Sequence, residues 1–276
     1  MDASLDIWIR RAEDTWLEAL HDHAALLFMD ADLPSHDHSH HLRVWNLCKS
    51  ILREIHSLYR GMDQSLVDGV LIAALFHDLG MTLSFREDHG SLSRKICEQW
   101  FRDSGRDLPG RFDEVLRAIE LHDKKDEQIY GSFEPGSTPH ILAILSVADD
   151  LEALGTIGIY RYAEIYLIRG IPLEDLGSRI LNNVRNRFGR LEKACRLCPS
   201  LLEKHRKEYE KLCEFYENYN RQWKDHPRPD RADSGPLGVI NYIRTQGPHT
   251  VDSGRAGEET NTFLSNLNHE LEQARL

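Results

Sequence analysis

The stretch "SLVDGVLIAALFHDLG" at residues 65–80 decides the fold of this chain, because its middle is almost entirely apolar. Ser65 is a suitable N-terminal cap and Gly80 a suitable stop, so the pattern predicts a helix between them. A helix that is apolar on nearly every side is buried within a protein. We therefore expect a central helix around which the rest of the chain packs.

Outward from this helix, apolar residues recur every three or four positions, as in Val44, Leu47 and Ile51. Such spacing is typical of amphipathic helices. It covers, approximately, residues 7–28, 44–58, 89–102, 112–122, 138–153, 157–169, 173–198 and 200–224. No segment sustains the period-two alternation of a half-buried strand. The sequence therefore predicts an all-α fold.

The last quarter of the chain changes in composition. Residues 200–224 predict a long helix with one apolar face, which packs either on the protein itself or on a second copy in a homodimer. Proline, glycine and charge then accumulate, as is typical of linkers. We predict one helical domain over 1–224, a linker over 225–260 and a short amphipathic helical tail over 261–276.

Composition narrows the range of partners. The 276 residues, 41% of them apolar, are enough for a substantial core. With 34 Lys and Arg against 45 Asp and Glu, the formal net charge is −11. A charge of this sign opposes binding to long nucleic acids and to anionic membranes. A small phosphorylated metabolite, held by a local cluster of positive charge, is a suitable partner.

The cysteines and the apolar runs bear on the compartment. No apolar run reaches the length of a membrane span, and the N-terminus lacks the apolar stretch of a signal peptide. The five cysteines are odd in number and widely spread, which fits a reducing compartment. Cys195 and Cys198 lack the partners of a zinc or thioredoxin-like site, so we interpret them as ordinary helix cysteines. We predict a cytoplasmic protein.

Four histidines crowd the start of one predicted helix, in the run "HDHSHHLRV" that begins at His36. His36 or Asp37 could cap this helix, and His38 could simply face water. His40 lies four residues before Val44 and so begins the apolar row of the helix. We expect His40 to point into the protein.

Imidazole and carboxylate groups also occupy apolar rows at two other places. His77 and Asp78 follow Ala74 at the end of the central helix, and helical spacing directs both inward. Asp149 lies four residues after Leu145, again on an apolar row. A buried carboxylate beside a buried imidazole is costly without a strong partner. These positions therefore indicate a shared site.

Four such groups from three helices, His40, His77, Asp78 and Asp149, can converge on one divalent cation, which removes the burial cost of each. A nitrogen and oxygen set without thiolate suits Mn²⁺, Fe²⁺, Mg²⁺ or Co²⁺ better than a structural zinc, and Zn²⁺ remains an alternative. Such a set leaves coordination positions open for water and substrate. We predict one ion per site and leave open a second.

The segments "HDHSHHLRV", "AALFHDLG" and "ILSVADDLEALGTIGIYR" together resemble the H…HD…D signature of the HD superfamily of metal-dependent phosphohydrolases. The resemblance spans 36–161 and is strongest to small bacterial HD proteins of the HDxxHxxRV type. It makes His40 the first metal ligand, His77 and Asp78 the paired ligands and Asp149 the last. It implies an HD-type helical bundle with a C-terminal helical extension, and hydrolysis of a phosphomonoester or phosphodiester, often of a nucleotide.

The resemblance also implies roles for nearby residues. In HD proteins with a wider site, histidines in the intervals of His89 and His122 bind a second metal or contact the substrate phosphate. Here Asp123 stands where two-metal members often have a second histidine, which argues against a full second metal site. In a mechanism with a metal-activated water, Asp78 binds the metal and orients the water, and His122 or His89 protonates the leaving oxygen.

Cationic side chains are needed to hold the substrate phosphate, because they supply charge-assisted hydrogen bonds. The candidates are Arg43, Lys124, Lys125 and Arg161. Arg161 matches the arginine of the family's IGIxR segment, and the lysines are candidates by charge alone.

Two other functions stay open. The Pro-rich segment and tail after residue 224 are compatible with a non-catalytic sensor or scaffold that binds metal and nucleotide without turnover. A di-iron oxygenase is the other alternative, because some HD-fold proteins use an extended His and Asp set for oxygen chemistry. Protein-bound iron, two per chain, would distinguish it.

Overall fold

The architecture of the chain is helical throughout the part that is described. The computed structural model describes residues 3–31, 33, 35–59, 61–86, 88–124, 140–196, 198–246 and 257–273. Within these ranges every regular element is a helix and no strand occurs. The prediction of an all-α fold is confirmed.

The chain divides into two compact units, Met1–Glu152 with Arg190–Leu202, and Ala153–Gly189 with Glu203–Leu276. The first unit contains α1 Ala3–Ala12, a π-helical segment Glu13–Leu17, α2 Glu18–Phe28, α3 His38–Ile55, α4 Gln64–Phe76, a 3-10 turn Leu79–Thr82, α5 His89–Ser104, α6 Phe112–Leu121 and α7 Ile141–Glu152. The remaining helices are α8 Gly155–Ile168, α9 Leu173–Ala194, α10 Pro199–Asp225, a 3-10 turn Pro229–Arg231, α11 Gly235–Gln246 and α12 Glu258–Gln273.

The predicted central helix is α4. Asp63 caps it in place of the predicted Ser65, because the Asp63 carboxylate accepts a hydrogen bond of 2.8 Å from the Leu66 N–H. Every residue from Val70 to Phe76 is buried, and the helix contacts α1, α2, α3, α5, α6 and α7. Full burial of one aliphatic or aromatic side chain contributes about 1.5–3 kcal/mol, so α4 anchors the first unit.

By length and composition alone, Gln64–Thr82 is the one stretch among the described residues that could cross a membrane, with a mean hydropathy of 1.3. Other elements of the protein bury 83% of its apolar window. Burial of this extent is typical of the core helix of a soluble protein, which passes the same test of length and composition.

A glycine sets how closely α7 approaches α4. A Cβ atom added at Gly69 would lie 2.5 Å from Cδ1 of Ile141, well inside van der Waals contact. The missing side chain lets Ile141, the first residue of α7, pack directly on the central helix. This approach matters for the site because α7 carries Asp149.

Helix α3 begins at His38 because Asp37 caps it. The Asp37 carboxylate accepts hydrogen bonds from the backbone N–H groups of Ser39 and His40, at 3.0 and 3.3 Å. On the apolar row that starts at Val44, Val44 and Ile51 are fully buried and Leu47 is partly buried, and α3 packs against α4 and α7. His40 lies one turn before Val44 and is directed between these two helices.

The apolar face of α10 packs on the core of the second unit. Leu212, Tyr216 and Tyr219 are all fully buried. The Tyr216 hydroxyl donates a hydrogen bond of 2.6 Å to the Ile159 carbonyl, and the Tyr219 hydroxyl donates one of 2.8 Å to the Leu173 carbonyl. These residues of the face therefore pack on the protein itself, and a homodimer stays a prediction.

The structure has a helix in the middle of residues 225–260, the segment predicted to be a linker. Helix α11 occupies Gly235–Gln246 and buries Leu237 in the core of the second unit. Helix α12 begins at Glu258, before the predicted start of the tail, and buries Leu267. Apolar residues at helical spacing in "PLGVINYI" decide the local structure here, although proline and glycine mark its edges.

Candidate metal centre

The end of α4 presents two of the predicted ligands side by side. The backbone N–H of His77 still donates to the Ala73 carbonyl, which keeps the ring inside the helical bundle. Its Nδ1 lies 2.9 Å from the Ala74 carbonyl, so Nε2 points the other way. Asp78 leaves the helical conformation, with φ −109° and ψ 8°, and its Oδ2 lies 3.5 Å from His77 Nε2.

Helices α3 and α7 bring the other two predicted ligands to the same point. His40 Nε2 lies 3.2 Å from His77 Nε2, 3.5 Å from Asp78 Oδ2 and 3.8 Å from Asp149 Oδ1. The distance from His77 Nε2 to Asp149 Oδ1 is 4.0 Å. All four side chains are buried, and one ligand atom from each lies within 4.8 Å of the others. The four side chains that the sequence places on apolar rows therefore lie together in the structure.

The imidazoles of His40 and His77 face each other in the centre. The Ala74 carbonyl can only accept, so the His77 ring carries its proton on Nδ1. His40 Nδ1 lies 3.3 Å from Glu152 Oε2. The Nε2 atoms of the two rings face each other at 3.2 Å. Burial lowers the pKa of His77 to about 3, outweighing the raising effect of Asp78, so the His77 ring is uncharged near neutral pH. A divalent cation would satisfy the four donors.

A second group of possible ligands shares Asp78. His122 Nε2 lies 3.0 Å and His89 Nε2 lies 3.4 Å from Asp78 Oδ1. The three side chains are buried, and their ligand atoms also lie within 4.8 Å of one another. The two oxygens of Asp78 therefore face different imidazoles, Oδ2 those of the first group and Oδ1 those of the second.

The charges in the centre follow from these contacts. Burial raises the pKa of the Asp78 carboxyl, but the surrounding imidazoles, His77 first among them, outweigh burial and hold the pKa well below its usual value. Burial lowers the pKa of His89, but the hydrogen bond and charge of Asp78, with a further contribution from Asp123, raise it to about 9. Asp78 is therefore ionised, and His89 carries a proton on each nitrogen at neutral pH when no metal is bound.

The predicted phosphate-binding residues lie in different surroundings. The Arg43 guanidinium is buried and donates to Glu152, Ser39 and the Ser35 carbonyl, so its contacts are within the protein rather than at an open site. Lys124 is exposed just after α6. Arg161 is buried in α8, in the second unit. Lys125 lies outside the described residues.

The other histidines near the start of α3 surround His40 without joining either group of possible ligands. His36 is buried, with its ring centre 5.5 Å from that of His40, and its Nδ1 lies 2.7 Å from the Ser35 hydroxyl. His41 is fully buried, with its ring centre 5.0 Å from that of His77. His38 is only partly buried.

Glu152 is the residue of the centre that the apolar rows did not identify. It is 6% exposed, and it contacts both His40 Nδ1 and the Arg43 side chain. The sequence contains a signal for it, because Glu152 follows Asp149 by three positions and so lies on the same face of α7. An isolated glutamate at the end of a helix more often faces water, and this signal alone would not have distinguished it.

Fold and site together define the class: an all-helical protein with a buried centre of histidine and aspartate that could hold metal. Residues 38–154 match the family model of the HD domain. This segment therefore resembles the HD domain, which is consistent with the predicted HD-superfamily protein. Comparison with curated proteins and with solved structures found no significant match. Proteins of the HD family generally are metal-dependent hydrolases, and the matched segment contains both groups of possible ligands.

Proposed function

We propose that this protein is a metal-dependent phosphohydrolase that cleaves a phosphomonoester or phosphodiester bond of a small substrate, with nucleotides as the class we favour. The observation that carries the proposal is the convergence of four buried donors, none of them a thiolate, in an HD domain. Nitrogen and oxygen donors of this kind suit Mn²⁺, Fe²⁺, Mg²⁺, Co²⁺ or Zn²⁺. The proposal places the protein in the cytoplasm, where nucleotides and reducing conditions are found.

His40, His77, Asp78 and Asp149 would hold the metal ion. When bound, such an ion supplies a nucleophile from water at neutral pH and neutralises negative charge on phosphoryl oxygens. The histidines would act as neutral ligands, which agrees with the lowered pKa of His77. The two carboxylates would offset the charge of the cation in the buried centre.

We assign the orientation of the attacking water to Asp78, and proton donation to His89 or His122. Asp78 Oδ2 is directed to the four-donor group, where it could orient a water molecule through its lone pairs. His89 and His122 present Nε2 on the Oδ1 side of Asp78. From there, either ring could donate a proton to the leaving oxygen of a substrate. The same two rings would instead be ligands if a second ion binds, and counting the ions distinguishes these two roles.

Substrate phosphate needs cationic partners. Lys124 supports this role by its exposure two residues after His122. Arg161 is proposed from its position in the family motif. Arg43 would act indirectly, because its guanidinium is already bonded to Glu152 and Ser39. We expect Lys124→Ala to raise KM more than it lowers kcat.

The proposal is tested with purified protein, Mn²⁺ or Co²⁺, and a panel of nucleotides and phosphodiesters. We expect phosphate or nucleoside release from at least one compound, and loss of this activity in His77→Ala and Asp78→Asn. Asp150→Asn is a matched control, because Asp150 is a buried acid of α7 beside Asp149 but belongs to neither group of possible ligands. Activity that survives in both ligand variants would refute the proposal.

Two results would favour a different function for this protein. Tight nucleotide binding without turnover under any of these metals would replace the hydrolase by a sensor or scaffold. Two irons per chain, together with consumption of oxygen in the presence of substrate, would replace it by an oxygenase.

A further inference from the structure

Three of the four imidazoles in the centre are oriented in the same way. Each uses Nδ1 for a hydrogen bond to the backbone of its own segment, which leaves Nε2 directed into the centre. The partner is in each case the carbonyl oxygen three residues earlier: Ala74 for His77 at 2.9 Å, Arg86 for His89 at 2.8 Å and Ile119 for His122 at 2.8 Å. Local backbone contacts therefore fix the orientation of these three rings.

His40 is the exception. The carbonyl three residues before it belongs to Asp37 and accepts the backbone N–H of His40 itself. The Nδ1 atom of His40 instead lies 3.3 Å from Oε2 of Glu152, a side chain on another helix. Both groups are buried, His40 with no exposed surface and Glu152 with 6%. The described contact of this Nδ1 atom is therefore with a carboxylate, at an ion-pair distance, rather than with a backbone carbonyl.

Glu152 is itself held in place by side chains that α3 supplies. Its Oε1 accepts a hydrogen bond of 2.5 Å from Arg43 Nε, which leaves Oε2 for His40. The Arg43 guanidinium also donates to the Ser39 hydroxyl at 2.7 Å, and this hydroxyl donates to the Asp37 carboxylate at 2.5 Å. Arg43 lies one turn after His40, so a single face of α3 carries the imidazole and the cation that fixes its partner.

We propose that Glu152 is a positioning residue that holds the His40 ring with its proton on Nδ1 and its Nε2 lone pair directed at the metal. Arg43 and Ser39 in turn hold Glu152. The inference rests on the proposed function only in assuming that the centre binds a metal ion, and it assigns Arg43 a positioning role in place of direct phosphate binding.

The chemistry favours a carboxylate at this position. A histidine Nε2 becomes a stronger donor to a metal when a carboxylate, rather than a backbone carbonyl, accepts the Nδ1 hydrogen bond of the same ring. Loss of a residue that supports a metal ligand in this way lowers metal affinity by about 10- to 100-fold. Within the four-donor group, His40 is thus the ligand with the charged support, whereas His77 relies on Ala74.

The test measures metal affinity of the metal-stripped protein by Co²⁺ titration, with competition by a chelator, for wild type, Glu152→Gln and Glu152→Ala. We expect Glu152→Gln to weaken Co²⁺ binding by roughly 10-fold, because the amide oxygen still accepts the Nδ1 proton but carries no charge, and Glu152→Ala by up to about 100-fold. Glu13→Gln is the matched control. Glu13 also holds α3, but it does so by accepting hydrogen bonds from Trp45 Nε1 and Lys49 Nζ rather than through an imidazole of the centre.

A second readout separates positioning from a purely structural role. Nitrogen-15 shifts of the His40 ring, measured on the Zn²⁺-loaded protein, should report a proton on Nδ1 in the wild type and an altered ring signal in Glu152→Gln. Unchanged Co²⁺ affinity in both Glu152 variants would overturn the inference, as would an equal loss in Glu13→Gln. Weakened binding in a protein that hydrolyses nothing would support the role of Glu152 and refute the hydrolase. Absence of metal binding in the wild type would overturn both.

Discussion

Replacement of Asp149 by asparagine should abolish most of the thermal stabilisation that metal gives this protein. Asp149 supplies one of the two carboxylates in the four-donor group, and its Oδ1 lies 3.8 Å from His40 Nε2 and 4.0 Å from His77 Nε2. The substitution keeps the size of the side chain and removes its charge. Since loss of an outer partner costs 10- to 100-fold in affinity, loss of a charged ligand should cost at least about 100-fold.

The size of the effect follows from linkage between binding and folding. At a metal concentration 100 times the dissociation constant, the wild type gains about 2.7 kcal/mol. A protein of this size gains roughly 2–4 °C in Tm per kcal/mol, so the metal should raise Tm by about 5–10 °C. With affinity 100-fold lower, the same concentration stabilises the variant by only about 0.4 kcal/mol, or roughly 1 °C.

The assay is thermal unfolding of chelator-treated protein with and without Mn²⁺, followed by circular dichroism. The comparison uses the increment that metal produces in each protein, so a change in the stability of the metal-free variant does not affect it. Asp150→Asn should keep the wild-type increment, because Asp150 belongs to neither group of possible ligands. An Asp149→Asn increment equal to that of the wild type would refute the reasoning.

Three further outcomes are expected. In metal-free protein, the free energy of unfolding measured with urea should fall as the pH drops from about 6.5 towards about 3. Burial lowers the pKa of His77 to about 3 in the folded protein, so in this range only the unfolded chain takes up a proton at His77. A pH dependence that is unchanged in His77→Gln would contradict this. Burial raises the pKa of Cys195 to about 12 and that of Cys198 to about 11, so alkylation at pH 8, followed by mass spectrometry, should be roughly 100-fold or more slower than in the unfolded chain; equal rates would refute their buried, unreactive state. His122→Gln should lower kcat by about 10²- to 10⁴-fold while most of the metal-induced rise in Tm remains, and retention of full activity would argue against its role in proton transfer.

The convergence of the four possible ligands could be predicted because, in a helix, the direction of a side chain follows from its position in the sequence. A residue three or four positions from a buried one lies on the same face, so His40, His77 and Asp149 could each be assigned to the interior. Burial of such groups is costly, which makes them conspicuous on apolar rows. The central helix α4 was predictable for the same reason, since its middle has no polar face.

The residues that contact these possible ligands could not be predicted in this way. The contact between Glu152 and His40 joins residues 112 positions apart (152 − 40), and it depends on how α3 packs against α7. Arg43 is a candidate for binding the substrate phosphate because a cation near a predicted site suits an anion. In the structure its guanidinium donates a hydrogen bond to the Glu152 carboxylate. Helix α11 was missed because the composition of its flanking segments is that of a linker, whereas burial of Leu237 depends on tertiary packing.

Anomalous diffraction from crystals of the protein grown with Mn²⁺ tests the central claim most directly. We predict a strong peak enclosed by His40 Nε2, His77 Nε2 and the carboxylates of Asp78 and Asp149, and its disappearance in Asp149→Asn crystals grown in the same way. Ordered side chains at these four positions with no peak between them, at a metal concentration that saturates binding in solution, would contradict the account.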